Sequence, residues 1–491
     1  MPGERRDHRA PRRSCAPGRP AAAEPSLCRR RPAVKRARSS GLSPALTLTA
    51  MGLGFAVVQL DVTVVNVALE RIGSAMGGGV AGLQWVVNAY TVVFASLILT
   101  SGALGDRLGA KRLFIAGFIL FVVASMACGA APNLIVLIGA RALQGLGASV
   151  LVPCSLALLN HTYQEPEARA KAVGIWAGVA GIALAGGPVI GGVLIAGVGW
   201  RSIFFINLPL GLLGVWLTWR YAGESTQSRE HPLDLAGQAA AIVAVAALAA
   251  AMIEGGATGW DNPLVIAGFG VFIVAGAVFL VVEARRIGPM LPLSFFRNRT
   301  FAAASLVGLL INLAFYGLIF DLSLYFQQIK TFTPLTTGLA FLPMTALVLV
   351  ANLLAGRASA WLGARPPMVG GQAIFAVGCL VLLGIGADTP YGRLWWPTVM
   401  IGAGIGLTVP PMTSALLATV DRRQSGVASG VLNTTRQIGS VIGVALFGSL
   451  IADRERFIAG MHVALYISIA AVLIGALAAF LAIREGAAPE A

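Results

Sequence analysis

Fourteen runs of about twenty apolar residues, separated by short polar loops, constrain this chain more than any other feature. They fall at roughly 45–69, 82–104, 112–131, 134–160, 172–197, 202–221, 233–253, 263–283, 301–326, 336–356, 367–386, 394–418, 426–451 and 462–482. Twenty helical residues span about 30 Å, the thickness of a bilayer's hydrocarbon. Backbone amides find no water there, so each run must close its own hydrogen bonds as a helix. Soluble helices would show narrow apolar stripes instead. Only 12% of the residues are charged, against about 25% in soluble domains, so there is little material for a solvated surface. The expected class is an all-α membrane protein.

Charge sets the expected orientation. With the N-terminus inside, the inside loops collect Arg107, Lys111, Arg112, Arg169, Lys171, Arg220, Arg229, Arg285, Arg286, Arg297, Arg299, Arg357, Arg365, Arg422 and Arg423. The outside loops hold Arg71, Arg201, Lys330, Arg393, Arg454 and Arg456. Fifteen against six follows the positive-inside rule, which makes both termini cytoplasmic in an inner, cytoplasmic membrane. Residues 1–40 carry twelve Lys or Arg against Glu4, Asp7 and Glu24, so +9 of the net +15 sits in that stretch. A Pro- and Ala-rich basic segment of this kind reads as a disordered, solvated tail that helps orient the first span, rather than a nucleic-acid arm. The apolar run behind it is too long for a signal peptide.

The chain repeats itself. Residues 102–112, GALGDRLGAKR, return in outline at 356–366 as GRASAWLGARP, an offset of 254 at the Gly109/Gly363 match. Residues 187–191, GPVIG, answer to 439–443, GSVIG, at an offset of 252. These matches pair the second span with the tenth and the fifth with the thirteenth. The pairing fits two six-helix halves, 45–222 and 286–484, around an inserted pair at 223–285, with tails at 1–44 and 485–491. Such repeats mark secondary transporters, whose substrate site lies between the halves near the midplane.

Ionisable groups inside a span are costly and functional by default. Asp61, in the first span, is a candidate proton carrier; the alternative is a buried structural hydrogen-bond partner. At 100° per residue, Gln59, Thr63 and Asn66 share one face while Asp61 points about 160° away from Thr63, so this helix is polar on two sides and cannot lie against lipid. Arg141 is the natural counter-charge, and Arg141, Gln144, Gly145 and Ala148 follow i, i+3, i+4, i+7. Whether Arg141 reaches Asp61 is left open by the sequence. Asp321, in the ninth span, shares a face with Tyr325 and Gln328, whereas Asn312, Tyr316, Ser323 and Gln327 form another polar stripe. It would carry a second proton, attract a cationic substrate, or serve structure. Glu254, at the outer end of the seventh span, reads as solvated.

Enzyme chemistry finds no support. There is no GxxxxGK[ST] loop, the histidines at 8, 161, 231 and 462 have no metal spacing, and Cys15, Cys28, Cys128, Cys154 and Cys379 are scattered. No cofactor or metal is expected.

The stretch GDRLGAKR, Gly105 to Arg112, resembles the loop 2–3 signature of the major facilitator superfamily. LIGARALQGLGAS at 137–149 is similar to its fourth-helix motif. The segment 174–192, ending in GGPVIGG, resembles its fifth-helix antiporter motif, although Ala183 replaces a usual Gly. LDVTVVNVAL at 60–69 and QWVVNAY at 84–90 are similar to the fourteen-helix drug:proton antiporter branch, although Glu70 replaces a usual Pro. The resemblance covers nearly everything after residue 45. It implies a gating role for Gly105, Asp106, Arg107, Gly109, Lys111 and Arg112, whose charges make bonds across the bundle in one conformation and release them in the other. A turn with Gly105 and Gly109 at φ > 0 is the plainer reading of the same residues. It also implies a tightly packed, kinked fifth helix through Gly174, Gly187, Pro188, Gly191 and Gly192, and marks Arg436, within NTTRQIGS, as a branch feature. Cavity candidates are Gln59, Thr63, Asn66, Gln144, Asn312, Tyr316, Gln327 and Arg436. The implied activity is proton-coupled export of a small apolar or amphipathic compound by alternating access, with resistance as its consequence. The rival within transport is a proton-symporting importer of a nutrient; a channel or receptor is opposed by the two-half repeat and buried acids. Partners are then the lipid bilayer, protons and a small-molecule substrate, without nucleic acid, and a monomer suffices.

Overall fold

The computed structural model describes residues 42–224, 234–286, 291–421 and 424–483. The basic tail, Arg229, Arg422, Arg423, His8, His231, Cys15, Cys28 and the segment 485–491 lie outside the described residues. Among the described residues, fifteen α-helices build fourteen spans. The first six spans are α1 (Leu42–Met76), α2 (Gly79–Leu108), α3 (Ala110–Ala130), α4 (Leu134–Thr162), α5 (Pro166–Gly197) and a split sixth, α6 (Ser202–Phe205) with α7 (Asn207–Tyr221). Then come α8 (Leu235–Thr258) and α9 (Pro263–Arg285). The last six are α10 (Arg299–Leu324), α11 (Pro334–Leu362), α12 (Arg365–Leu382), α13 (Tyr391–Leu417), α14 (Ser425–Leu450) and α15 (Phe457–Ala482). Among the described residues, thirteen spans are long and apolar enough by themselves to cross a membrane. The remaining one, α14, is diluted by its polar run 433–437, NTTRQ.

Two groups of helices pack around one another. In the first, α1 lies against α4, α5 and α7, α2 against α4, and α3 against α4 and α7. In the second, α10 lies against α14 and α15, α12 against α13 and α15, and α11 against α13. The groups meet where α5 touches α11, α2 touches α14 and α1 touches α10. The inserted helix α8 leans on both α2 and α14, and its Gln238 Nε2 donates to the Ser96 carbonyl at 2.5 Å. Its partner α9 is mostly exposed, with apolar Leu264, Ile266, Ile273, Val274 and Leu280 outward, as a lipid-facing helix requires.

The repeat seen in the sequence has a physical meaning. Gly109 and Gly363 both follow a helix, at φ +97 and +80, and both cap amides donate four residues back, to Gly105 and Ser359, at 3.0 Å. Only glycine takes that backbone conformation freely. Gly105 itself differs from the expectation: it is helical within α2, and its missing side chain makes room for Cys154, whose Sγ would sit 2.9 Å from a Cβ there. In α5, Gly187 and Gly191 admit Thr63 and Val64 of α1; in α14, Gly439 and Gly443 admit the Leu309 and Leu313 backbone of α10. The same four-residue glycine spacing thus seats one helix on its neighbour in each group, as small residues do where lipid offers no hydrophobic drive for association.

Calling the end of the bundle that holds Leu42 the near end, several bonds join the two groups toward the far end. Gln84 Nε2 of α2 donates to the Val444 and Ala445 carbonyls at 2.9 and 2.6 Å. Ser323 Oγ of α10 donates to the Asn66 carbonyl of α1 at 2.5 Å. A π-helical turn, Tyr325–Ile329, extends α10 and carries Gln328, whose Nε2 donates to Glu70 Oε2 at 2.7 Å.

The glycine seats predict an asymmetry in stability. A Cβ on Gly443 would run into the Leu313 carbonyl oxygen, whereas one on Gly174 meets nothing within 4 Å. Gly443→Ala should destabilise the protein by about 1–3 kcal/mol, seen as a lowered melting temperature in detergent, and Gly174→Ala should melt with the wild type.

Candidate functional site

Asp61 and Arg141 meet. They form a buried ion pair through Oδ2 and Nη1, with the residues 2% and 1% exposed. The second carboxylate oxygen, Oδ1, accepts from Gln144 Nε2 at 2.8 Å. Arg141 also donates from Nη1 to Gln144 Oε1 at 2.8 Å and from Nε to the Val86 carbonyl at 3.1 Å. Its guanidinium lies 4.4 Å from the Tyr90 ring centre, a cation–π contact that satisfies its open face. Arg141 and Gln144 reach one carboxylate because they stand three residues apart on α4.

A polar shell holds this centre in place. Ser125 Oγ accepts from Gln144 Nε2 at 3.2 Å and from Asn207 Nδ2 at 2.9 Å, and donates to the Phe204 carbonyl at 2.9 Å. Cys128 Sγ donates to Gln144 Oε1 at 3.6 Å. Five spans, built from α1, α2, α3, α4 and the split pair, therefore converge on one carboxylate. Sequence reasoning found Asp61, Arg141 and Gln144 but missed Ser125, Asn207 and Tyr90. The signal at Asn207 was legible: an amide side chain inside an apolar run, at the break between α6 and α7.

Asp321 stands in contrast. It is fully buried in α10, and both carboxyl oxygens lack a hydrogen-bond partner among the described residues. Tyr325 and Gln328, its predicted face-mates, bond elsewhere, to the Gly386 carbonyl at 2.8 Å and to Glu70. A carboxylate kept from water and without a cation is strongly disfavoured. Arg436 is the mirror case, a half-buried guanidinium on α14 whose Nε has no acceptor.

The remaining predicted residues divide by exposure. Thr63 is buried under Gly187 and donates back to the Gln59 and Leu60 carbonyls at 3.3 and 3.2 Å. Asn66 and Asn312 donate to their own helices, at Val62 and Gly308, and Gln327 to Ser323. Gln59, Tyr316 and Arg436 keep partial exposure. In the loop between α2 and α3, Lys111 Nζ donates to the Trp219 and Ala222 carbonyls at 3.0 and 2.7 Å. Glu224 accepts from the Lys111 amide at 3.2 Å and pairs with Arg112 at 3.7 Å. These bonds stay within the first helix group, tying α3 to the end of α7. Asp106 is exposed in the last turn of α2, and Arg107 is half-buried beside it. On α5, Gly192 packs against the Leu335 backbone of α11, and Gly338 of α11 against the Pro188 carbonyl. Glu254 is exposed, as expected, and accepts from Trp85 Nε1 at 3.3 Å.

Comparison with known proteins agrees with this architecture. Residues 51–444 match the model of the Major Facilitator Superfamily. The methylenomycin A resistance protein of Streptomyces coelicolor is 37% identical over 436 residues, spanning 88% of this chain and 91% of that protein. The multidrug resistance protein Stp of Mycobacterium tuberculosis is 38% identical over 407 residues, 83% of this chain and 76% of that one. Among solved structures, a bacterial homolog of the human lysosomal transporter Spinster superposes with a TM-score of 0.62 over 91% of this chain and 98% of its own, at 18% identity, a likeness of fold alone. The chain belongs to the Major Facilitator Superfamily, in the branch that holds these resistance proteins.

Proposed function

We propose that the protein is a proton-driven exporter of small apolar or amphipathic compounds, working by alternating access and protecting its host from a toxic product. The observation that carries this reading is the buried Asp61–Arg141–Gln144 centre, a carboxylate that can accept a proton inside a membrane bundle. The names of the relatives, resistance proteins against methylenomycin A and against multiple drugs, support export over the uptake of a nutrient. The near end carries twelve of the described loop cations (the fifteen predicted, less Arg229, Arg422 and Arg423) against six at the far end. That excess supports a cytoplasmic near end, with both termini on the cytoplasmic side of the inner membrane. One chain, as two six-span halves and the inserted α8–α9 pair, suffices for the cycle.

Coupling runs through α1. The deprotonated Asp61 ties α1 to α4. A proton arriving on Asp61 removes the charge that holds Arg141, while Arg141 keeps the Val86 carbonyl, Gln144 and the Tyr90 face. Released from α4, α1 is free to shift. Nine residues further on, about 13 Å along the helix, the same α1 carries Glu70, bonded to Gln328 of the other half. Protonation at Asp61 and opening at the far end thus act on one rigid rod. Asp321 would carry a second proton, the state in which an acid without a cation is least costly in this setting.

Two expectations follow from these contacts. Asp61→Asn should lower the resistance given to a pump-deficient host by about tenfold or more and abolish substrate-evoked proton movement in proteoliposomes; concentrative export by this variant under an imposed pH difference would sink the coupling assignment. Glu70→Leu removes a charge-assisted bond worth about 1.5–3 kcal/mol. Spin labels at positions 71 and 454, at the far ends of the two halves, should then show a longer distance population that the wild type lacks.

A further inference from the structure

The intramembrane charges do not balance symmetrically. In the first half, Asp61 and Arg141 neutralise one another. In the second, Arg436 has no hydrogen bond and no carboxylate partner among the described residues, and its Nε is buried without an acceptor. The acid on the neighbouring helix cannot serve. Arg436 Cγ lies 3.2 Å from where a Cβ on Gly308 would stand, and Asp321 is thirteen residues beyond Gly308, about 20 Å along α10. Arg436 stands eleven residues into α14, about 16 Å from its near end, which is mid-membrane depth. A guanidinium cannot shed its charge as a carboxyl or an amine can. It therefore waits, charged and partly exposed, for an anion or a strong acceptor.

Its neighbours shape a place for one. Gly308 lets α10 close onto the guanidinium stem, since a Cβ there would lie 3.2–3.3 Å from Arg436 Cγ, Leu432 and Met412. The helix that carries Arg436, α14, packs on α10 and also on α2 of the other half, and Tyr316 on α10 is half-buried. Ser305 Oγ, one helical turn before Gly308 on α10, is a buried hydroxyl with no partner among the described residues. Asn312, by contrast, spends its amide on the Gly308 carbonyl. A fixed cation beside leucine and methionine suits an amphipathic molecule with a planar anionic head, which a guanidinium grips in bidentate fashion.

We propose that Arg436 anchors the cargo, and that the preferred cargo is a small amphipathic acid, recognised through its carboxylate at mid-membrane depth. This deepens the export reading and rests on it. The test uses the full chain in a pump-deficient host loaded with 1-pyrenebutyrate, its methyl ester or the trimethylammonium analogue, probes of one shape and three charges. Wild type should expel the acid at least about tenfold faster than the ester. Arg436→Gln should bring that ratio to about one, and Arg436→Lys should leave a preference in between, because an ammonium keeps the charge but loses the fork. Melting curves in detergent separate a changed preference from misfolding. Equal export of all three probes, or equal loss for acid and ester in Arg436→Gln, overturns anion anchoring. So does indifference to the acid in a protein that still gives Asp61-dependent resistance, and the export reading then survives. Absence of any resistance together with absence of any export defeats the export reading itself.

Discussion

An ion pair sealed from water governs this molecule. Neither Asp61 nor Arg141 is tolerable alone in hydrocarbon, and losing one partner of such a pair costs about 3–5 kcal/mol. Each therefore binds its helix to the other's, and the shell of Gln144, Ser125, Asn207 and the Val86 carbonyl fixes where the charges sit. Five of the first six spans converge on this centre, where each of these polar groups finds a partner away from water. In the proposed cycle this same pair is what a proton on Asp61 would undo, so that stability and coupling become one interaction in two protonation states.

The two halves share their helix packing but not their chemistry. Glycines at four-residue spacing seat α5 on α1 and α14 on α10, and a left-handed glycine ends both α2 and α11. Within those matching frames the first half keeps its charges together and the second keeps Asp321 and Arg436 apart. In the proposed cycle the first half is neutral while Asp61 and Arg141 are paired and gains one positive charge when a proton neutralises Asp61. An unbalanced half presents a charge to whatever enters the seam. In the proposed cycle this division would give coupling to the first six spans and recognition to the last six.

Glu70 shows how a local departure acquires meaning. A proline at that position could neither accept the Gln328 bond nor leave the α1 ladder intact. With glutamate there, α1 stays helical to Met76 and reaches across to the other half. The π-helical turn that ends α10 supplies the partner, and such turns gather at functional positions.

The spans, their number, their alternation, the repeat and the four ionisable residues inside them, Asp61, Arg141, Asp321 and Arg436, were all written in the sequence. Each depends on local quantities: the length of an apolar run, the cost of a charge within it, the freedom of a glycine. Which charges meet was decided only by tertiary structure, because that depends on the rotation of each helix about its own axis. Periodicity put Arg141 and Gln144 on one face, but only packing turned that face toward Asp61 and left Arg436 turned toward none. The loop between α2 and α3 is similar: its cations were plain, while Glu224, which pairs with Arg112 and accepts from the Lys111 amide, lies just past the end of α7, more than a hundred residues away in the chain. Composition sets what must be buried in a membrane, and the meeting of distant helices sets what each buried group can do.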